Sequence, residues 1–374
     1  MRRFFWIFLM ANSLGLVLSG CAELDYYRQA VVGQWELLDA RRPVVDVLAD
    51  PATAPALRRR LATARALRVF ASVELALPGN GSYHDYADLG RPYAVKNVFA
   101  APELSLEPRR WCYLAVGCLS YRGYFDDEAA RRLADQLRTA GDDVFVADIP
   151  AYSTLGWFDD PLLNTFINWS TARLAELMFH ELAHQRLYIA DDTAFNEAFA
   201  TAVGQLGAER WLERADAIEE REAYRVDRHR RDEFLRLVGA TRDRLATVYG
   251  SSRDDAEKRL EKQRILTEMR DRYRELKRDW GGYSGYDRWV AEDLNNAKLA
   301  GNSTYYRWVP GFVALYEQEG RDFAMFYRTV ETLGQLPAAE RAARLEVLSS
   351  ISTSVAADSG RINGVLAGIR LQDR

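Results

Sequence analysis

Two histidines and a glutamate form a five-residue motif near the middle of the chain, His180-Glu181-Leu182-Ala183-His184. On a helix, residues four positions apart lie about 40° apart around the axis and about one turn along it, so both imidazoles can bind one metal ion. Glu181 can then reach a water molecule on that metal without binding the metal itself. The spacing is that of the H-E-x-x-H motif, and it predicts a Zn²⁺ site with Glu181 as the catalytic general base.

The sequence around this motif is typical of a helix that packs one face against a protein core. The apolar residues Leu174, Leu177, Met178 and Leu182 recur at helical spacing. The chain has four histidines, and two of them are in the motif. The alternative is a helix whose histidines are partly buried and form only hydrogen bonds, and the concentration of histidines argues against it.

A catalytic zinc ion has three protein ligands and keeps one position open for water or substrate, so a third ligand is expected soon after the motif. A turn-like stretch at residues 190–193 separates the motif helix from a second predicted helix. Glu197 lies one turn into that second helix, and we predict it as the third ligand. Twelve residues separate it from His184, so the connection must be a tight turn.

Three polar neighbours of Glu197 have alternative interpretations. Asp191 and Asp192 are competing ligands, but they follow the motif helix too closely to fold back easily, which favours a helix-capping role. Thr201 lies four residues beyond Glu197, on the same face of the helix. Its hydroxyl could orient a metal ligand, or the residue could simply pack, and the sequence leaves both interpretations open.

The start of the chain has the pattern of a signal peptide at residues 1–20. Arg2 and Arg3 precede an apolar run that ends in Leu-Ser-Gly-Cys at Cys21. This ending resembles a bacterial lipobox, which predicts lipidation of Cys21 as the new N-terminus. The alternatives are an ordinary signal peptide with a chance cysteine and an uncleaved anchor. Ala22 stands where an aspartate would favour the inner membrane, so the resemblance to Gram-negative lipoproteins predicts an outer-membrane anchor on the periplasmic face of the bacterial cell envelope.

Charge and hydropathy limit the partners of the mature chain. Without residues 1–20 it has 48 basic and 54 acidic residues, a net charge of −6, which argues against nucleic acid as a partner. No later segment approaches the ~20 consecutive apolar residues that span a membrane. We therefore expect a domain tethered to the membrane by lipid. The H-E-x-x-H motif predicts a peptide as its substrate. In an oxidising compartment Cys112 and Cys118 are predicted to form a disulfide, and the alternative is two buried thiols.

The elements that must position the motif predict an α+β fold that is predominantly helical. Residues 205–280 are rich in Arg, Glu and Asp with heptad-like apolar positions, which predicts a long helical hairpin with a solvated face. Other predicted helices and strands are helices at 24–40, 54–75 and 126–137, and strands at 93–100, 119–125 and 143–149. The predicted domains are a signal peptide (1–20), N-terminal helices (21–80), a catalytic core (81–204), the charged hairpin (205–280) and a C-terminal helical part that completes the active site (281–374).

Asn196-Glu197 resembles the Asn-Glu pair that opens the glutamate helix of thermolysin-like peptidases, the gluzincins. The resemblance implies a zincin-like core in which a small mixed sheet lies beside the zinc helix, although the connection before Glu197 is shorter than in thermolysin. It implies that residues 147–156 include an edge strand that binds substrate by strand addition. It also implies a tyrosine of the C-terminal part as hydrogen-bond donor to the oxyanion, with Tyr305 as the first candidate and Tyr306 as the second.

Several segments together resemble a bacterial family of zinc aminopeptidase lipoproteins over nearly the whole mature chain. An aminopeptidase needs acids that hold the free amine of the substrate, and the candidates are Glu103, Asp148, Asp159 and Asp160. The glycine-rich Met-Glu-Asn segment that does this in large gluzincin aminopeptidases is absent from the sequence. The segments that carry the resemblance are the lipobox, the cysteine-containing stretch that runs into Ser120–Tyr124, Ala151–Pro161, the motif helix with Asn196-Glu197, and Leu294–Lys298.

The first functional expectation is zinc-dependent hydrolysis of peptide bonds in the cell envelope by an aminopeptidase. One alternative is a zinc endopeptidase in envelope protein quality control, which an open cleft along the substrate would favour. The other is a non-catalytic metal-binding lipoprotein. The intact Glu181 argues against that last alternative, because a purely structural metal site does not need this carboxylate.

Overall fold

The computed structural model describes residues 23–113, 117–151, 159–303 and 306–350 of the 374-residue chain. The architecture is mixed α+β and predominantly helical with small sheets, as the sequence predicts. The helices of these residues are α1 (23–39), α2 (Val44–Ala49), α3 (Pro55–Glu74), α4 (Asp127–Thr139), α5 (Thr171–Arg186), α6 (Thr193–Arg214), α7 (Ile218–Tyr249), α8 (Asp255–Asp279), α9 (Asp287–Ala291), α10 (Asn296–Ser303), α11 (Val309–Gln318), α12 (Phe323–Gly334) and α13 (338–350). The strands are β1 (Arg41–Pro43), β2 (Asp85–Ala87), β3 (Val95–Pro102), β4 (Trp111–Tyr113), β5 (Gly117–Leu119), β6 (Arg122–Tyr124), β7 (Asp142–Ile149) and β8 (Leu162–Leu163).

These strands form three small sheets. In the first sheet, β2 lies between β1 and β8, antiparallel to β1 and parallel to β8. In the second sheet, β3 lies between β6 and β7 and is antiparallel to both. Strands β4 and β5 form a separate hairpin in which Cys112 lies opposite Cys118, and their sulfur atoms are bonded to each other. Strand β8 of the first sheet is the last strand before α5 along the chain.

Three of the predicted elements show that helices follow the local sequence pattern more closely than strands follow it. The helices predicted at 24–40 and 54–75 correspond to α1 and α3 within a residue at each end. The single strand predicted at 119–125 is instead divided between two sheets, because β5 pairs with β4 whereas β6 pairs with β3. The bond between Cys112 and Cys118 fixes β5 to its hairpin, so the chain must bend before β6 can reach β3.

The charged stretch at 205–280 contains two long helices that pack against each other, α7 and α8. Apolar side chains of both helices, including Val238, Leu245, Ile265 and Met269, are buried in a second hydrophobic cluster. Helix α6 continues to Arg214, so the first ten residues of the stretch extend the helix that carries Glu197. The predicted division into domains stays a prediction.

The largest hydrophobic cluster surrounds α5 and α6, which approach each other closely. A Cβ atom on Gly204 would lie 2.6 Å from the carbonyl oxygen of Glu176 and 3.3 Å from the Cβ of His180. A Cβ atom on Gly207 would lie 2.7 Å from the ring of Phe179. Side chains larger than hydrogen at these two positions would therefore push apart the helices that carry the motif and Glu197.

A polar cluster joins α10 to the second sheet. The side-chain amide of Asn296 donates hydrogen bonds to the carbonyl oxygens of Pro102 (3.1 Å) and Glu103 (2.7 Å). The backbone N–H of Asn296 donates to the carboxylate of Asp143 (2.8 Å), and Lys262 of α8 donates to the same carboxylate (2.6 Å). Asn296 thereby connects the C-terminal helices to β3 and β7.

Candidate metal centre

Helix α5 carries both histidines of the motif and is held in place by its cap and its apolar residues. The Ser170 hydroxyl accepts a hydrogen bond from the backbone N–H of Arg173 (3.4 Å), which satisfies one free donor of the first turn. The apolar residues of the helix from Leu174 to Ala183 are almost all fully buried. His184 is buried and His180 is half-buried, so both imidazoles lie at the edge of this core.

The connection from α5 to α6 is shaped by Asn196 and Asp192. The Asn196 side chain accepts a hydrogen bond from the backbone N–H of Ile189 (2.8 Å) and donates one to the Ile189 carbonyl oxygen (2.7 Å). Asp192 caps α6 by accepting from a backbone N–H of its first turn (3.1 Å), and it pairs with Arg341 of α13 (2.6 Å). The capping interpretation of Asp192 is therefore correct, and this compact connection returns Glu197 to the motif.

Three side chains converge between α5 and α6, those of His180, His184 and Glu197. The two Nε2 atoms lie 3.1 Å apart, and the carboxylate oxygens of Glu197 lie 3.5 Å from Nε2 of His180 and 3.6 Å from Nε2 of His184. Ligand atoms at the ~2.0–2.1 Å bond lengths of a tetrahedral zinc ion stand about 3.3 Å from one another. The three residues predicted as ligands thus form a group whose separations fit a metal ion of this kind.

Burial and neighbouring charges set the ionisation of these three side chains. Burial, with a contribution from the adjacent His180, lowers the pKa of His184 to about 4, so this imidazole is neutral at pH 7. Burial also acts to lower the pKa of His180, but the hydrogen bond with Glu197 and the charge of Glu181 outweigh it and raise the pKa. Burial acts to raise the pKa of Glu197, but the two imidazoles outweigh it and lower the pKa, which favours the carboxylate. A neutral imidazole and an ionised carboxylate are the forms that bind a divalent cation.

The histidines have different partners on their outer sides. The Thr201 hydroxyl lies 3.5 Å from Nδ1 of His180, at the long limit of a hydrogen bond, so it could orient this imidazole. Nδ1 of His184 is buried and has no hydrogen-bond partner within the described ranges. Glu176, one turn before His180, forms an ion pair with Arg231 of α7 (2.7 Å). This pair was not predicted, because nothing in the charged pattern of α7 distinguishes Arg231 from its neighbours.

Tyr83 is a neighbour of the motif that the sequence pattern did not identify. It is buried and has a φ of +67°, which is rare for an aromatic residue. Burial raises the pKa of its phenol well above the usual value, and the charges of Glu181 and Asp160 raise it further, so the hydroxyl stays protonated. The nearby sequence Pro-Gly-Asn-Gly at 78–81 indicates a turn. It does not indicate that the loop after this turn packs near the motif helix.

The loop that carries Tyr83 is tied to two helices. Arg68 of α3 is buried and donates hydrogen bonds to three carbonyl oxygens of residues 78–82 at 2.7 to 2.9 Å. Gln185, which directly follows the motif on α5, accepts a hydrogen bond from the side-chain amide of Asn80 (2.6 Å). These bonds hold Tyr83 in its left-handed conformation against the core.

Of the two tyrosines predicted as oxyanion donors, Tyr305 lies outside the described residues. Tyr306 is partly buried and packs against the main core. Burial raises the pKa of its phenol, and the charges of Arg231, Glu176 and Glu197 also act on it. Tyr306 therefore lies in the electrostatic surroundings of the group that could hold a metal.

The acids considered for binding a substrate amine are in different surroundings. Glu103 and Asp148 form ion pairs with basic side chains. Asp160 is buried, and its charge acts on the phenol of Tyr83 together with that of Glu181. Asp159 lies against the same loop as Tyr83, since a Cβ atom on Gly81 would be 2.3 Å from its carboxylate. Asp159 and Asp160 are thus the candidates that lie against the loop next to the motif helix.

Besides that of Tyr305, three predictions fall on residues outside the described part of the chain. They are the signal peptide at 1–20, the lipidated Cys21 and residues 152–156 of the predicted edge-strand segment. These stay predictions. No helix within the described ranges is long and apolar enough to cross a membrane.

The sequence also shows a relationship to a known family. Residues 25–345, which are most of the chain, match the family described as "Putative aminopeptidase". The match includes the motif on α5 and Glu197 on α6. No curated protein and no solved structure matches the chain. The match over most of its length shows that this chain belongs to the "Putative aminopeptidase" family.

Proposed function

We propose that this protein is a zinc-dependent aminopeptidase of the bacterial cell envelope, tethered by lipid at Cys21. The observation that carries the proposal is the convergence of His180, His184 and Glu197 at 3.1 to 3.6 Å, with Glu181 next to the first histidine. Nitrogen and oxygen donors at these separations suit zinc. The family match supports a peptidase, and the sequence pattern at residues 1–21 supports the envelope location.

A zincin-like core is the fold that we propose around this site. It is supported by the position of α5, which shares the main hydrophobic cluster with Leu162 and Leu163 of β8. Strand β8 and the motif helix therefore contribute to one core, which supports the proposed zincin-like arrangement. The short connection before Glu197, closed by Asn196, replaces the longer one of thermolysin.

The chain's own residues supply most of the proposed mechanism. His180, His184 and Glu197 would hold the zinc ion, which when bound lowers the pKa of a water towards neutrality and polarises a carbonyl group. Glu181 accepts the proton of the attacking water and later delivers it to the leaving amine. A protonated phenol donates a hydrogen bond to the developing oxyanion. Tyr305 is the first candidate for this donor and lies outside the described residues. Tyr306 is the second candidate, and it is supported by the charge of Glu197, which acts on its phenol.

Aminopeptidase action also needs an acid that holds the free amine of the substrate. We assign this role to Asp160, because it is buried and its carbonyl oxygen accepts a hydrogen bond from the backbone N–H of Tyr83 (2.7 Å), in the loop that is tied to Gln185 beside the motif. An ammonium group held there would place the first peptide bond of a substrate near the general base. Glu103 and Asp148 have less support, because their ion-pair partners Arg259 and Lys96 lie on α8 and β3 and not on the helix that carries the motif.

The test is turnover of a peptide library by the purified mature chain, with products identified by mass spectrometry. We expect stepwise loss of N-terminal residues that a chelator abolishes and added zinc restores. Internal cuts would assign the protein to the endopeptidases instead. Bound zinc without cleavage of any peptide would contradict peptidase function.

A further inference from the structure

One face of α1 is fixed to the body of the protein. Arg122 of β6 donates two hydrogen bonds to Glu23 (3.0 Å each), and its guanidinium lies 4.0 Å from the ring centre of Tyr26. Gly33 lies directly against Phe125, because a Cβ atom on Gly33 would be 2.2 Å from that ring. Helix α1 is therefore an integral part of the fold.

The opposite face of α1 is apolar and lies in solvent. Leu24, Tyr27, Val31 and Trp35 are 72, 46, 69 and 70% exposed. Because they are spaced three, four and four residues apart, they form one stripe along about 16 Å of the helix. We call these four residues the α1 stripe. Exposed apolar surface concentrated in this way marks an interaction site.

We propose that the α1 stripe docks on the surface of a lipid bilayer. The inference rests on the proposed lipid anchor, since Glu23 of α1 is two residues after Cys21 along the chain and two residues span at most about 7 Å. A lipid on Cys21 would enter the bilayer, so the first turn of α1 must lie at the bilayer surface. Trp and Tyr side chains favour that interface, and amphipathic helices lie in its plane with the apolar face inwards.

The charges beside the α1 stripe indicate which lipids it would contact. Four exposed acids, Glu23, Asp25, Glu36 and Asp39, stand on α1 against one exposed base, Arg28. This balance gives no attraction to anionic headgroups, so binding must come from burial of apolar surface. We therefore expect zwitterionic lipid to be sufficient and anionic lipid not to strengthen the contact.

The first arm of the test measures binding of the mature chain, made without its lipid, to phosphatidylcholine vesicles. The double variant Val31→Glu/Trp35→Glu should bind about ten- to hundredfold more weakly, because two large apolar side chains no longer enter the lipid. The matched control is Val69→Glu/Val73→Glu on α3, also four residues apart, where the valines are 57 and 74% exposed. The control should bind as the unchanged chain does, and both variants should keep peptidase activity. Equal loss in both variants, or no vesicle binding by the unchanged chain, would overturn the proposal.

The second arm uses the lipidated full chain in vesicles and measures the fluorescence of Trp35. This fluorescence is the difference between the emission of the unchanged chain and that of the variant Trp35→Phe. We expect this emission to be quenched by lipids brominated near the headgroup and protected from aqueous iodide. Full access of iodide to Trp35 in the vesicles would overturn the proposal. Protection of Trp35 in solution without lipid would also overturn it, because a second copy or another segment would then cover the α1 stripe. Mass spectrometry of the N-terminus tests the lipid anchor separately from the docking of α1. A chain without lipid on Cys21 would contradict the proposed anchor, whereas binding of the unlipidated chain to vesicles still decides whether α1 docks on a bilayer.

Discussion

Glu181 lies beside the three converging side chains without being one of them. The change Glu181→Gln keeps the size of this side chain and removes the basic carboxylate. We expect unchanged zinc content and a kcat lower by roughly a hundred- to ten-thousandfold, the usual contribution of a general base. Metal analysis and peptide turnover on the same samples measure both quantities. Glu219→Gln, at an exposed position of α7, is the matched control and should change neither zinc content nor kcat. Full activity of Glu181→Gln would show that Glu181 is not the general base.

Glu197 and Thr201 lie one turn apart on α6 but have different relations to the site. Glu197 contributes a converging carboxylate, whereas Thr201 only approaches Nδ1 of His180 at 3.5 Å. Loss of a side chain that hydrogen-bonds to a metal ligand weakens metal affinity by about 10- to 100-fold. We expect Thr201→Val to weaken zinc affinity by this much or less, and Glu197→Gln to weaken it by more. Competition with a zinc-binding dye measures both affinities. The reverse order would show that Glu197 is not a ligand.

At the scale of elements, the contact of α5 with α6 decides whether the ligands meet. Gly204→Ala places a Cβ atom 2.6 Å from the carbonyl oxygen of Glu176, and backbone at that distance must move. We expect a loss of about 1–3 kcal/mol in the free energy of unfolding of the metal-free protein. Urea unfolding measures it, and zinc affinity should fall as well because His180 is displaced.

Gly239 of α7 provides the matched control for this substitution. A Cβ atom there meets nothing within 4 Å, and the residue lies inside a long helix. Gly239→Ala should therefore stabilise the protein by about 0.5–1 kcal/mol, since alanine loses less backbone entropy on folding than glycine. Opposite signs for the two substitutions are the expected result. Two equal effects would mean that helix propensity, rather than helix contact, controls position 204.

At the scale of the whole molecule, the metal ligands connect two helices of the main core. A metal that binds only the folded state stabilises it by RT ln(1 + [L]/Kd), about 2.7 kcal/mol at a hundredfold excess over Kd. We expect zinc to raise Tm by several degrees and a chelator to reverse the change. Differential scanning calorimetry of the mature chain measures it. His184→Ala should lose the zinc-dependent part of Tm, and a variant that kept all of it would place the metal elsewhere.

The sequence by itself determined those features whose residues are close along the chain. The positions of His180 and His184 on one helix follow from helical geometry, and Glu197 follows from the short connection behind them. The positions of α1 and α3 follow from apolar residues that recur with the period of a helix. That period is set by hydrogen bonds between backbone groups four residues apart. Even the capping role of Asp192 depends only on the next turn of chain.

Only the tertiary structure decided the contacts between distant segments. It tied the loop of Tyr83 to Gln185 of the motif helix, paired Arg231 with Glu176 and divided residues 117–124 between two sheets. It also showed that Asn196, read from the sequence as part of a zinc-site signature, closes the connection between α5 and α6. The physical reason is that a distant partner is selected by the packing of the whole core, whereas periodicity and spacing record only what one element does by itself.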